Sequence, residues 1–170
     1  MLTVGKVLQA LGMDADPRGC KDVVTNGCVD SRLATKGSLF VALPGEKTDG
    51  HLYVDQALQT GAVLALVEHP IKSAYPIFHL TDRPDRLRKA PFSVVVPNTL
   101  AALQQIATWW RQQFEIPVVG ITGSVGKSST KETVGALLGY KLRVLKNKGN
   151  MNNEIGLPLT LLSLNGSHQA

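Results

Sequence analysis

Residues 116–139 read IPVVGITGSVGKSSTKETVGALLG. Ile116–Thr122 is an apolar run of strand type, and Gly123-Ser124-Val125-Gly126-Lys127-Ser128-Ser129 follows it as a loop. Thr130 to Leu138 then has helical spacing, with Val134, Leu137 and Leu138 on the inward face and Gly139 as the stop. A strand, a glycine loop and a helix in that order are the setting a phosphate-binding loop requires. Glycine lets the backbone turn tightly and brings N–H groups close to phosphate oxygens. Those N–H groups and the helix N-terminus together make an anion site. Lys127 would set a positive charge against the β/γ-phosphates, and Ser128 would place its hydroxyl on the accompanying magnesium ion. The whole run Gly123, Ser124, Val125, Gly126, Lys127, Ser128 and Ser129 is therefore the candidate nucleotide site. Lys127 is the candidate catalytic charge. The longer pattern GxxxxGK[ST] asks for glycine where Ile121 stands, so this loop has the short form GxxGK[ST].

Upstream of the loop, short apolar runs alternate with helical patterns. Val4, Val7, Leu8 and Leu11 share a helical face that Gly12 can end. Ser38–Leu43, Ala62–Val67, Pro76–Leu80 and Phe92–Val96 read as strands, and His51 to Thr60 as a helix with Gly61 just past it. That alternation predicts an α/β fold. TDRPDRLRKA, between the last two strands, reads as surface loop or short helix. Pro97-Asn98-Thr99 makes a break. Leu100, Leu103, Ile106, Ala107, Trp110 and Phe114 then form a helical stripe, capped by Asn98 or Thr99, in which Trp110 is a core residue. The reading divides the chain near residue 98: a small α/β domain over 1–98, and the start of a phosphate-loop α/β domain over 99–170.

Composition narrows the class. Of 170 residues, 44% are hydrophobic and 18% charged, and mean hydropathy is near zero, which is the profile of a globular protein. No apolar run suggests a membrane span, and the N-terminus lacks signal-peptide features, so a cytoplasmic location is expected. Cys20 and Cys28 fit no zinc or redox spacing and are expected to be reduced. The net charge of +5 suits an anionic ligand but is spread along the chain, which argues against nucleic acid. His51, His69, His79 and His168 show no ligand spacing.

TGSVGKSS in this setting resembles the ATP loop of the Mur ligases. Gly149–Leu162, GNMNNEIGLPLTLL, resembles the segment found in the MurF type. The MurE type usually carries a threonine-rich segment there, and folylpolyglutamate synthases share the loop but not the asparagine run. Asp30-Ser31-Arg32, Gly37–Leu43 and Asp49-Gly50-His51 stand in the order DSR…GxLFVA…DGH, similar to the uridine-diphosphate-binding domain shared by MurE and MurF.

The resemblance implies an ATP- and Mg2+-dependent ligase of peptidoglycan precursor synthesis. Its substrates would be UDP-N-acetylmuramoyl-tripeptide and D-alanyl-D-alanine, joined through an acyl phosphate. It implies that Asn152 and Asn153 offer amides to substrate, and that Ser31, Arg32 and the Glu46-Lys47-Thr48 loop hold the uridine group. The asparagines could instead cap a helix beginning near Pro158, and Asp30 could instead form a local ion pair with Arg32. A monomer is expected for the complete protein. The family has three domains, and its downstream magnesium-binding glutamate, carbamylated lysine and C-terminal domain have no counterpart here. A fragment or truncated product, inactive alone, is therefore expected. The competing classes are a non-catalytic nucleotide-binding module, a MurE-type amino-acid ligase and another phosphate-loop enzyme such as a kinase.

Overall fold

A computed structural model describes residues 1–13, 20–45, 48–82, 90–149 and 151–170. Its centre is a five-stranded sheet in the order β1-β2-β3-β5-β4, parallel throughout. The strands are β1 (Asn26–Cys28), β2 (Ser38–Val41), β3 (Leu64–Val67), β4 (Ile77–His79) and β5 (Phe92–Val95). Parallel neighbours need a crossover connection. Between β2 and β3 it is a 3-10 turn, Gly50–Tyr53, running into α2 (Val54–Thr60). The helix expected over 51–60 is therefore split in two. Gly61, at φ 133°, ends it in a conformation that other residues rarely adopt.

Strand side chains alternate between faces, so the sheet feeds two cores. Leu39, Val41, Leu64, Leu66, Phe92 and Val94 lie on one face, packed with α1 (Val4–Ala10) and α3 (Thr99–Arg111). Phe40, Ala42, Ala65 and Val67 lie on the other, against Val54, Ala57 and Leu58 of α2. Ser93 on β5 is fully buried, and among the described residues its hydroxyl has no hydrogen-bond partner. Neither cysteine forms a disulfide and both are buried, and burial pushes the Cys28 thiol up to about 11.

α3 starts as a helix should. Asn98 caps it, its Oδ1 accepting from the Ala101 N–H at 2.7 Å. Leu103, Ile106, Ala107 and Trp110 are buried. The Trp110 indole N–H donates to the Leu164 carbonyl at 2.9 Å, and Phe114 meets the ring edge-on. A cut at residue 98 would thus strip the first sheet of the helix that covers it.

Three sequence expectations meet different outcomes. Ile116–Thr122 joins no ladder, because no described strand lies beside it. α4 spans Lys127–Gly139 but buries no residue; Val134 and Leu138 are half-buried, and Leu137 is 74% exposed rather than inward. TDRPDRLRKA falls mostly on residues 83–89, outside the described residues.

β1 was not expected, since Asn-Gly-Cys carries no β-branched residue. Gly27 explains the docking there. A Cβ on Gly27 would stand 2.6 Å from Leu162 Cδ1 and 2.9 Å from Leu159 Cδ2, so the missing side chain lets α5 (Gly156–Leu161) close on the sheet edge.

Candidate functional site

The phosphate loop reaches α4 through two glycines in the left-handed half of backbone space: Gly123 at φ 140° and Gly126 at φ 83°, the latter at the N-cap. The helix begins at Lys127, three residues earlier than the apolar spacing alone suggests, because Gly126 supplies the first carbonyl, accepting from Thr130 N–H at 2.9 Å. Lys127 folds its ammonium back over the loop, donating to the carbonyls of Gly123 and, at 3.4 Å, of Ser124. Lys127 and Ser128 border a cavity of about 120 Å³ with Lys131, Asn147 and Asn152. Gly123, Ser124, Val125 and Ser129 are exposed along the loop and lie outside that lining.

Lys131 stands one helical turn after Lys127, on the same face. Its Nζ donates to the carbonyls of Asn147 and Gly149, both at 2.9 Å. Glu132 pairs with Lys146 and, at 3.3 Å, with Lys131, which together hold its carboxyl below the usual range, Lys146 contributing most. These contacts strap residues 146–149 to the loop helix. The sequence reading passed over Lys131 and Asn147; the i, i+4 spacing from Lys127 was the available signal.

The two asparagines separate. Asn152 borders the cavity beside Lys127 and Ser128. Asn153 accepts on Oδ1 from the N–H of Gly156 at 2.8 Å and of Ile155 at 3.4 Å, so the capping alternative applies to it. Its turn starts α5 at Gly156, ahead of Pro158. Asn153 also borders a second cavity, about 540 Å³, with Val29, Lys148, Gly149 and Met151.

A third cavity, about 560 Å³, is bordered by Ser31, Arg32, Thr48, Tyr53 and Gln56, again with Val29. The structure thus brings Ser31, Arg32 and Thr48 together, while Glu46 and Lys47 lie outside the described residues. Arg32 forks onto Asp30, with Nη2 to Oδ2 at 2.6 Å and Nε to Oδ1 at 2.9 Å. That guanidinium holds the Asp30 carboxyl down at about 2. The local ion pair left open by the sequence is therefore formed.

A hydrogen-bonded linkage runs from Asp49 through the buried His51 to Glu68 and the buried Thr99. His51 Nδ1 lies 2.6 Å from Asp49 Oδ1, and its Nε2 accepts from the Glu68 N–H at 2.8 Å. An accepting Nε2 places the ring proton on Nδ1. The ring stacks on His69 at 4.4 Å. Glu68 Oε1 in turn accepts from the Thr99 N–H at 2.9 Å. Among the described residues no three His, Cys, Asp or Glu side chains gather as a metal site, and no helix is long and apolar enough to cross a membrane.

A parallel α/β sheet followed by a glycine–lysine phosphate loop at a helix N-terminus defines the class, and the comparisons place it: the chain belongs to the Mur ligase family. The family's catalytic-domain model matches residues 24–110 and its middle-domain model residues 121–170. Within the family the similarity is to the MurF type. The chain is 41% identical over 145 residues to the UDP-N-acetylmuramoyl-tripeptide–D-alanyl-D-alanine ligase of Synechocystis, covering 85% of this chain and 29% of that one. A crystal structure of MurF from Acinetobacter baumannii superposes with a TM-score of 0.76 at 32% identity, over 99% of this chain and 34% of that one. The MurF ligase of Thermotoga maritima in complex with ADP superposes with a TM-score of 0.66, also at 32% identity, over 86% of this chain and 30% of that one. The chain therefore spans about a third of the length of these relatives.

Proposed function

We propose that this chain is the uridine- and ATP-binding portion of a MurF-type ligase, the enzyme that joins D-alanyl-D-alanine to UDP-N-acetylmuramoyl-tripeptide in peptidoglycan precursor synthesis. One observation carries the reading. The phosphate-loop cavity and the asparagine-segment cavity share Gly149, and the latter shares Val29 with the Ser31–Arg32–Thr48 cavity. A long anionic substrate, held by its nucleotide at one end, has a continuous wall to follow towards the loop.

In this reading the tripeptide's terminal carboxylate takes the γ-phosphoryl group of ATP, and the amine of D-alanyl-D-alanine then displaces phosphate. Such chemistry asks for charge neutralisation more than for a protein nucleophile. Gly123–Ser129 cradle the phosphates with backbone N–H groups, and Lys127 exchanges its loop carbonyls for phosphate oxygens. The donor set fits a triphosphate: two ammonium groups, a serine hydroxyl and two asparagine side chains line one small cavity. Ser128 would hold Mg2+, which supplies charge neutralisation on the phosphates. Asn152 is the substrate-facing amide, Asn153 a turn-former beside it. Ser31, Arg32 and Thr48, with Glu46 and Lys47, serve the uridine end.

The division of labour is 1–98 for the uridine diphosphate and 99–170 as the opening of the ATP-binding part. α3 is the wall common to both, packed against the sheet on one side and α5 on the other. A cytoplasmic location and a monomeric complete enzyme belong to the same reading. The chain alone binds but does not ligate, since Ile116–Thr122 lacks a ladder partner and α4 buries nothing. Mass spectrometry of a mixture of chain, Mg·ATP, UDP-N-acetylmuramoyl-tripeptide and D-alanyl-D-alanine tests this. No ligated product is expected; ATP-dependent product above a Lys127→Ala control overturns it.

A further inference from the structure

The Ser31 hydroxyl, assigned above to the uridine group, is already engaged inside the protein. Ser31 is buried, and its hydroxyl donates to Gln56 Oε1 at 2.9 Å. A hydroxyl has one proton to give, so this bond uses the donor that a ligand would otherwise meet. The same bond occupies the acceptor end of the Gln56 amide. Its Nε2 is left with two donors, and none of the described residues accepts from it. Gln56 borders the same cavity as Ser31. Tyr53 stands three residues earlier at the start of α2 and borders it too, so a ring and an amide lie side by side on one helical face. Val29, Phe40 and Leu43 give that cavity an apolar side. Arg32, by contrast, is forked onto Asp30, and its charge is largely answered before any ligand arrives.

We propose that Gln56, its amide turned by Ser31, is the residue that reads the base, donating from Nε2 to the C4 carbonyl of uracil while Tyr53 covers the ring. Ser31 acts through Gln56 as a positioning residue. The proposal rests on the reading that this cavity takes uridine diphosphate. Its chemical content is a choice between bases. Uracil offers an acceptor at C4, whereas cytosine offers an amino donor there, which would face the Gln56 donors unpaired. A site built on one hydrogen bond of this kind favours UDP over CDP by about tenfold.

Calorimetric titration of the 170-residue chain with UDP and with CDP tests it, with far-UV circular dichroism of each variant. Gln56→Leu keeps the volume and removes the donors, and should bring the UDP/CDP preference to about one. Gln56→Glu replaces donors with acceptors, and should weaken UDP and turn the preference towards CDP. Ser31→Ala should lower the preference by a smaller factor, because the amide survives but is free to turn. Gln56 is exposed on the surface of α2, so both substitutions are compatible with folding. Wild-type preference in folded Gln56→Leu and Gln56→Glu overturns the assignment of Gln56 while leaving the cavity a uridine site. Failure of the wild-type chain to bind UDP at all overturns the cavity reading, and the assignment with it.

Discussion

Glu68 joins the end of β3 to the start of α3, and replacing it separates the two. Its Oε1 accepts from the Thr99 N–H at 2.9 Å and stands 3.0 Å from the Thr99 hydroxyl. That hydroxyl is also 3.0 Å from the Ala42 carbonyl, and its single proton serves one acceptor at a time. In Glu68→Ala the hydroxyl keeps Ala42, and the loss falls on the amide. Thr99 is fully buried, so its N–H is left in the interior with no acceptor. An unmet buried donor costs about 1–3 kcal/mol. A carboxylate beside a helix N-terminus adds about 0.3–1 kcal/mol of favourable dipole interaction that is also lost. The expected destabilisation is therefore about 1.3–4 kcal/mol, which lowers Tm by roughly 3–15 °C in a chain of this size. Glu68→Gln retains the Oε1 acceptor and should cost less than about 1 kcal/mol. Urea unfolding followed by circular dichroism measures both. Glu68→Ala within about 0.5 kcal/mol of wild type, or Glu68→Gln as damaging as Glu68→Ala, would refute the hydrogen-bond reasoning.

Two more expectations follow from single contacts. The Asp30 carboxyl should titrate near 2 by NMR, and Arg32→Ala should return it towards the ordinary value near ~3.9. Because the folded value is the lower one, the pair's contribution is complete above the unfolded value and fades as pH falls from about 4 through 2. A midpoint near 4 in the wild type would show that the fork is not maintained in solution. At Gly156, a Cβ would stand 2.6 Å from Met151 Cα and 2.8 Å from its carbonyl carbon, which are backbone atoms that cannot rotate away. Gly156→Ala should cost about 1–3 kcal/mol in urea unfolding and weaken nucleotide binding by displacing Asn152; unchanged stability would show that the loop yields.

Much of this was legible in the sequence, for reasons that differ by element. β2, β3 and β5 announce themselves because strands buried on both faces are continuous apolar runs. The glycine loop before α4 is legible because Gly123 and Gly126 both take positive φ, which other residues rarely adopt. β1 was not, since what makes Asn26–Cys28 a strand is the space at Gly27 for Leu159 and Leu162, a contact between residues more than a hundred apart. Ile116–Thr122 has strand composition without strand structure, because a ladder is a property of two segments and composition describes one. In the site, the sequence left the Asp30–Arg32 ion pair open as an alternative but carried no sign of the partner of Ser31. Asp30 takes the guanidinium and Gln56 the hydroxyl, a partner more than twenty residues away that only the fold supplies. Glu68 carried no motif, His51 stood in the DGH segment and Thr99 beside the α3 cap, and only the fold makes the three a chain of hydrogen bonds.

The most direct test of the account is a pair of calorimetric titrations on the 170-residue chain, with Mg·ADP and with UDP-N-acetylmuramoyl-tripeptide, repeated on Lys127→Ala. The account predicts saturable one-to-one binding of each ligand to the wild type. In Lys127→Ala the ADP affinity should fall at least about tenfold, as expected when a charge-assisted contact is lost, while UDP-N-acetylmuramoyl-tripeptide binding is retained. ADP binding that is absent from the folded wild type, or equal in wild type and Lys127→Ala, would contradict it.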